Sequence, residues 1–272
     1  MKIPALLGAI AIGLALVPAF AQDSPAVPAE DPYRALEDAA RPETQAFFRA
    51  QAEEARARLD SIPGRAAMLS RIRELSDSGA SVSALAVTAS PRVFYLKLAP
   101  RQPTPVLCMR EGLAAPERVL VDPERFARGT SRAAIDWFSA SPDGRHVAYG
   151  VSLAGSESSV LRVLAVDAGR DLPLEIDRTR FNERLGWHPD SRSFYYARIP
   201  ESNSGLKRDA NVRVYRHVLG RESDRDEIVF APGVGGARDV PQFVYPEIVV
   251  PLESRYAYAI ARDGVRNEIA VH

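Results

Sequence analysis

The chain has 272 residues with 35 basic and 35 acidic side chains, so its formal net charge is zero. That balance gives no electrostatic pull toward nucleic acid or an anionic membrane surface. Lys2, Lys97 and Lys207 are the only lysines, and the arginines, scattered among acids and alanines, read as compositional bias rather than as a phosphate or carboxylate site.

At the N-terminus, Lys2 precedes the apolar run Ala5 to Val17, and Pro18-Ala19-Phe20-Ala21 ends in an Ala-x-Ala pattern. This predicts a secretory signal peptide over 1–21, cleaved after Ala21, and a secreted or periplasmic protein. The apolar run is too short to span a bilayer, so no membrane association is expected after cleavage; a retained, uncleaved anchor is the alternative. Residues 22–30, QDSPAVPAE, form a Pro/Ala linker.

Residues 31–78 read as an N-terminal helical segment. Pro42 suits a first helical turn, and Glu43 to Asp60 holds no glycine or proline. Phe48, Ala52, Ala55 and Leu59 share one face. Ser61 is expected to cap a second helix, with Met68, Leu69, Ile72 and Leu75 on one side. Two such helices cannot cover their own apolar faces and need another surface.

From Ala80 to His272 the pattern becomes short apolar runs bounded by turn residues. Strands are predicted at Val93–Leu98, Val106–Met109, Arg118–Val121, His146–Val151, Val160–Val166, Phe194–Ile199, Val212–Leu219, Asp226–Phe230 and Arg255–Ala261. FSASPDGRHVAYG at 138–150 aligns with LGWHPDSRSFYYA at 185–197, their prolines 47 residues apart, with fainter copies at 88–97 and 251–260. A four-stranded unit recurring every 40–50 residues or so is the period of a β-propeller blade. Ser141-Pro142-Asp143-Gly144 is then a turn: proline presets φ, aspartate bonds the backbone beyond it, and glycine takes a positive φ. His146 is a residue of the following strand.

Catalytic and metal motifs are not found. No Gly-x-Ser-x-Gly elbow occurs, and Ala154 to Ser159 reads as a loop between strands. His146, His188, His217 and His272 form no H-E-x-x-H or Cys/His pattern, so no metal and no cofactor are expected. Gly233 to Arg238 lacks the last glycine of a dinucleotide loop and reads as a connection between blades. Glu222 to Glu227 does not fit a calcium loop and reads as a solvated hairpin tip. Cys108, the single cysteine, lies in an apolar strand and is expected to be buried and structural.

Several of these segments, in order, resemble the prolyl oligopeptidase family of serine peptidases. Asp31-Pro32-Tyr33-Arg34-Ala35-Leu36-Glu37-Asp38 is similar to that family's opening Asp-Pro-Tyr-x-Trp-Leu-Glu-Asp signature, with Ala35 where tryptophan is usual. Phe47-Phe48, Val93-Phe94-Tyr95, Pro105-Val106-Leu107, Asp122-Pro123, the Ser-Pro-Asp-Gly-x-x-Val-Ala-Tyr-Gly box and Tyr215 to Gly220 follow in register. The resemblance implies a propeller that admits short proline-containing peptides to an α/β-hydrolase domain bearing a Ser-Asp-His triad. It also implies that residues 31–78 dock on that domain. The 193 residues of 80–272 suffice for about four blades of the family's seven.

The fold class expected is therefore mainly β: a partial propeller over 80–272, preceded by two helices. The family is a serine endopeptidase, but this chain is expected to lack the hydrolase domain, to contribute no catalytic residue and to be inactive alone. Phe181 resembles a propeller position that contributes to an outer substrate subsite; read from its own neighbours, it is a core or loop-anchoring phenylalanine. The alternative to an oligopeptidase segment is a non-enzymatic periplasmic propeller that binds a protein partner.

Overall fold

The computed structural model describes residues 31, 33–180, 182–183, 185–203, 207–234, 240, 245–254 and 256–262, and the backbone of 269–271. Residues 1–30, over which a leader and a linker are expected, and Phe181 and His272 lie outside the described residues. The chain divides into two compact units, the first ending at Leu69 and the second beginning at Ser70. No helix among the described residues is long and apolar enough to cross a membrane.

Helix α1 (Pro42–Asp60) starts on the expected proline, with Glu43 in the first turn where the helix dipole favours an acid. Ser61 closes this helix instead of opening the next one. Its hydroxyl donates to the Arg58 carbonyl at 2.7 Å and its N–H donates to the Ala57 carbonyl. Pro63-Gly64 then turns the chain, with Gly64 at φ +79°, and α2 spans Arg65–Ser76. A serine after a long apolar pattern serves either helix end, and here the C-terminal carbonyls of α1 captured it.

The second unit holds four antiparallel sheets, each made from consecutive strands. The first comprises β1 (Ser81–Val87), β2 (Arg92–Leu98), β3 (Val106–Glu111) and β4 (Arg118–Val121). The second comprises β5 (Ala133–Ala140), β6 (His146–Leu153), β7 (Val160–Ala165) and β8 (Arg170–Asp171). The third is built from β9 (Gly186–Trp187), β10 (Ser193–Arg198), β11 (Arg213–Val218) and β12 (Glu227–Phe230), and the fourth from β13 (Tyr245–Val249), β14 (Tyr258–Arg262) and β15 (Ile269–Val271). The sheets succeed one another as blades of a propeller without closing into a ring.

Stability lies between the sheets. Phe94, Leu107 and Met109 of the first sheet pack on Ile135, Tyr149 and Leu164 of the second. Trp137, Ala148 and Leu161 meet Trp187, Phe194 and Tyr196 across the next interface, and Val214 and Phe230 meet Ile248 and Ala261 across the third. The second sheet is covered on both faces, which is why β6 is buried from Val147 to Ser152 rather than on alternate residues. Each large side chain so buried contributes roughly 1.5–3 kcal/mol.

Three sheets carry the same polar latch, which no single motif announces. Tyr149 Oη donates to Asp171 at 2.8 Å, and Arg125 bonds both groups at 2.6 and 2.7 Å. Tyr196 Oη donates to Asp226 at 2.9 Å, with His217 Nδ1 at 3.0 Å from the same carboxylate. Tyr95 Oη donates to Glu117 at 2.7 Å, joined by Lys97 and Arg110. In each case a tyrosine of the second strand ties itself to an acid at or beside the fourth, so a buried hydroxyl keeps a partner. Asp226 is the exception in the hairpin tip over 222–227: Glu222, Asp224, Arg225 and Glu227 are exposed as expected, residues 223–225 form a 3-10 turn, and the Asp226 side chain is only 5% exposed.

Candidate functional site

The topology sorts the connections into two ends. At the turn end, β1–β2, β5–β6, β9–β10 and β13–β14 are joined by the repeated Pro-containing segments. Gly144 sits at φ +67°, and Asp143 accepts from the Arg145 N–H at 3.0 Å and from the Ser141 hydroxyl at 2.7 Å. Burial works against the Asp143 charge, but these donors outweigh it and hold the carboxyl below its usual range. In the third sheet Ser191 takes the glycine's place at φ +57°, and Asp190 again accepts from the backbone, here from Arg192 at 2.8 Å.

These turns also join neighbouring sheets around a cavity of about 620 Å³ lined by Val87, Ser139, Pro142, Gly186, Trp187 and Ile248, among others. The Ala89 N–H donates to the Pro142 carbonyl at 3.0 Å, the Asp143 N–H to Ser191 Oγ at 3.1 Å, and Trp187 Nε1 to the Ser139 carbonyl at 3.2 Å. At Gly186 the backbone of the fourth sheet comes so close that a Cβ would stand 2.1 Å from the Ile248 carbonyl oxygen. Among the described residues the lining holds no acid, base, histidine or cysteine. Such a wall can shape or admit a ligand, but it cannot move a proton.

The loop end carries a charged grouping around Arg180. Phe181 falls in the β8–β9 connection, outside the described residues, and its neighbours are firmly held. Arg180 bonds Glu157 and reaches Asp209 at 3.3 Å. Asn182 clamps the Ala197 backbone in both directions, accepting from its N–H at 2.7 Å and donating to its carbonyl at 2.9 Å. Beside them a pocket of about 170 Å³ is lined by Asp136, Trp137, Glu157, Ser159, Arg180 and Glu183. Burial raises the Asp136 carboxyl above its usual range although Ser159 and Ser152 donate to it. The arrangement can bind charge, and among the described residues its lining holds no histidine to complete a serine–histidine pair.

The remaining reactive side chains are structural. His146 stacks on Trp187 with ring centroids 6.4 Å apart; its Nδ1 is buried without a partner, and burial holds its pKa below the ordinary histidine value. His188 faces Asp190 at 3.1 Å, and His217 is enclosed with Asp226. No serine hydroxyl bonds a histidine ring among the described residues. The Cys108 thiol is fully buried, and burial pushes its pKa up to about 11, so it is not a nucleophile near neutral pH. The sequence reading missed the grouping of Asp136, Glu157, Arg180 and Asp209, because it comes from three separate connections and a strand; the one available signal was an aspartate inside the apolar run Ala133 to Phe138.

Fold and lining together define a class: consecutive propeller blades around an axial cavity whose described lining is uncharged, with no catalytic grouping among the described residues. The profile of the prolyl oligopeptidase N-terminal β-propeller domain matches residues 17–233, and the chain belongs to the prolyl oligopeptidase family. Prolyl oligopeptidase A of Amanita bisporigera is 26% identical over 227 residues, covering 73% of this chain and 29% of the relative. A solved prolyl endopeptidase is 25% identical with a TM-score of 0.71, covering 89% of this chain and 36% of its own. Prolyl oligopeptidase B from Galerina marginata, bound to a 35-residue hydrolysis and macrocyclization substrate, is similar in fold at 22% identity and a TM-score of 0.68, covering 89% and 38% of the two chains. The chain spans between 15% and 32% of the length of the curated relatives compared.

Proposed function

We propose that this chain is the propeller segment of a prolyl oligopeptidase-type serine endopeptidase and controls the access of short, proline-containing peptides to an α/β-hydrolase domain that carries the reaction centre. The observation that carries this reading is the axial cavity of about 620 Å³. Neighbouring sheets bond to one another around it, and its lining offers shape without any proton-transfer group. Residues 31–78 would dock on the hydrolase domain. In support, Phe47, Phe48, Leu59, Met68 and Ile72 are 40–66% exposed, an apolar surface that is unfavourable to leave in water. Phe181 would contribute an apolar face to an outer peptide subsite, between the anchored Arg180 and Asn182. The leader over 1–21 would direct export to the periplasm or medium, leaving Gln22 as the first mature residue.

The test is hydrolysis of a short prolyl peptide. The purified 272-residue chain should give no turnover, and turnover abolished by a serine-directed inhibitor would overturn the reading. When the segment is joined to a hydrolase domain of the family, Phe181→Ala should raise KM for longer peptides several-fold and leave kcat within about twofold. An unchanged KM would remove Phe181 from the substrate path. An intact-mass measurement on exported protein beginning at any residue other than Gln22 would refute the cleavage assignment.

A further inference from the structure

A second charged cavity, of about 210 Å³, opens at the loop end on the face of the second sheet turned toward the first. Its lining includes Arg125, Phe126, Arg128 and Arg162 with the apolar Val151 and Leu153, and no carboxylate lines it among the described residues. The guanidinium carbons of Arg125 and Arg162 lie over the Phe126 ring at 4.6 and 4.8 Å, cation–π contacts that hold two like charges against one aromatic ring. Each of the two is balanced from outside the lining by one acid, Arg125 by Asp171 at 2.7 Å and Arg162 by Glu175 at 2.6 Å. Two donors stay unanswered. The Nε–H of Arg162 is buried with no acceptor, and the Arg128 guanidinium has no partner among the described residues.

Three arginines lining one cavity, with spare donors and no described acid in the lining, call for an acceptor that is small, charged and able to take several N–H bonds. The arginine-lined pocket beside the β11–β12 turn does not meet that description. There Arg216, Arg221 and Arg225 are matched by Glu222, Asp226 and Glu227 in the same lining. We propose that the cavity at Arg125, Arg128 and Arg162 binds a compact oxyanion, a phosphate or carboxylate group, with Phe126 as its apolar floor. The site is separate from the Arg180 cluster and from the axial cavity, and it stands or falls on binding alone, independently of the gating role.

The experiment is calorimetric titration of the 272-residue chain with inorganic phosphate at constant ionic strength, chloride supplying the balance. Saturable binding is expected, weakened at least tenfold by Arg128→Gln. Arg128 is exposed and unpartnered, so this change leaves the fold intact. Arg221→Gln, on the opposite end, should leave the affinity within about twofold. Competition by a short peptide with a free C-terminal carboxylate, but not by its amide, would identify a peptide terminus as the source of the oxyanion; failure of both to compete would leave the free anion as ligand. Absence of saturable binding, or binding that Arg128→Gln leaves unchanged, overturns the proposal.

Discussion

Tyr196→Phe removes one oxygen from the middle of the third sheet and leaves every apolar contact of the ring in place. The hydroxyl is buried and donates to Asp226 at 2.9 Å. Burial holds its pKa far above the usual tyrosine range, so it is a neutral donor at any working pH. A hydrogen bond to a charged acceptor contributes about 1.5–3 kcal/mol. Asp226 is 5% exposed but keeps His217, so the loss should fall near ~2 kcal/mol. Tyr149→Phe should cost less, about 1.5 kcal/mol, because Asp171 is 21% exposed and retains Arg125. Asp226→Ala should exceed both at about 3–5 kcal/mol, since it leaves His217 and the Tyr196 hydroxyl buried without an acceptor. Urea unfolding at pH 7, followed by tryptophan fluorescence from Trp137 and Trp187, reads all three changes on the interface between the second and third sheets. If Tyr196→Phe unfolds within 0.5 kcal/mol or so of the parent and Asp226→Ala is no worse, the latch contributes nothing and the reasoning fails.

The same physics gives three further expectations. Gly186→Ala drives a Cβ to 2.1 Å from the Ile248 carbonyl, an immovable backbone atom, so the third and fourth sheets must separate; a loss of about 1–3 kcal/mol in urea is expected, and a neutral result would refute the close packing. His146 has a folded pKa lowered by burial from the ordinary 6.5, so the unfolded chain takes up its proton first as pH falls. Its contribution is therefore complete above about pH 6.5 and declines below it; His146→Phe, which keeps a ring against Trp187, should flatten the pH 5–7 limb of the stability curve, and an unaltered limb would exclude this histidine as its cause. Cys108, with its thiol pushed up to about 11 inside the first sheet, should react with a thiol reagent at pH 8 only as fast as the chain opens, and prompt labelling in native buffer would contradict its burial.

What the sequence showed and what it concealed follow from where each kind of information resides. The repeat was legible because Pro142-Asp143-Gly144 and Pro189-Asp190-Ser191 are local: turn geometry dictates residue type over a few positions, and the register of the copies counts the sheets. The long second and third strands were legible because burial on both faces makes them apolar runs. The first strands were not. β1 is serine and alanine rich, β5 carries Asp136 within its apolar run, and β9 is two residues long, so none of them reads as a plain apolar or alternating strand. Ser61 was assigned to the wrong helix because capping chemistry is the same at both ends and only the Pro63-Gly64 turn decides between them. The acids of the latches were also hidden. Asp171 lies 22 residues after Tyr149 and Asp226 lies 30 after Tyr196, so the tyrosine repeats in sequence while its partner repeats only in space.

The division between the two ends constrains where recognition can occur. At the turn end the chain reverses over 88–91, 141–145 and 188–192, and the peptide groups there are spent on one another and on the adjoining sheet. Substituting a side chain in those turns disturbs an interface before it alters a ligand. The connections over 122–132, 172–185 and 199–212 are longer, and they carry Arg125, Arg128, Arg180 and Asp209, whose guanidinium and carboxylate groups lie beyond the strands that fix the backbone. The faces of the second and third sheets offer no alternative, because neighbouring sheets cover them on both sides. If the proposed gating role holds, selectivity should change through the loop end and the width of the axial opening through the turn end. Exchanging the 199–212 connection should change which ligands bind while leaving the unfolding transition nearly unmoved, and exchanging 141–145 should do the reverse.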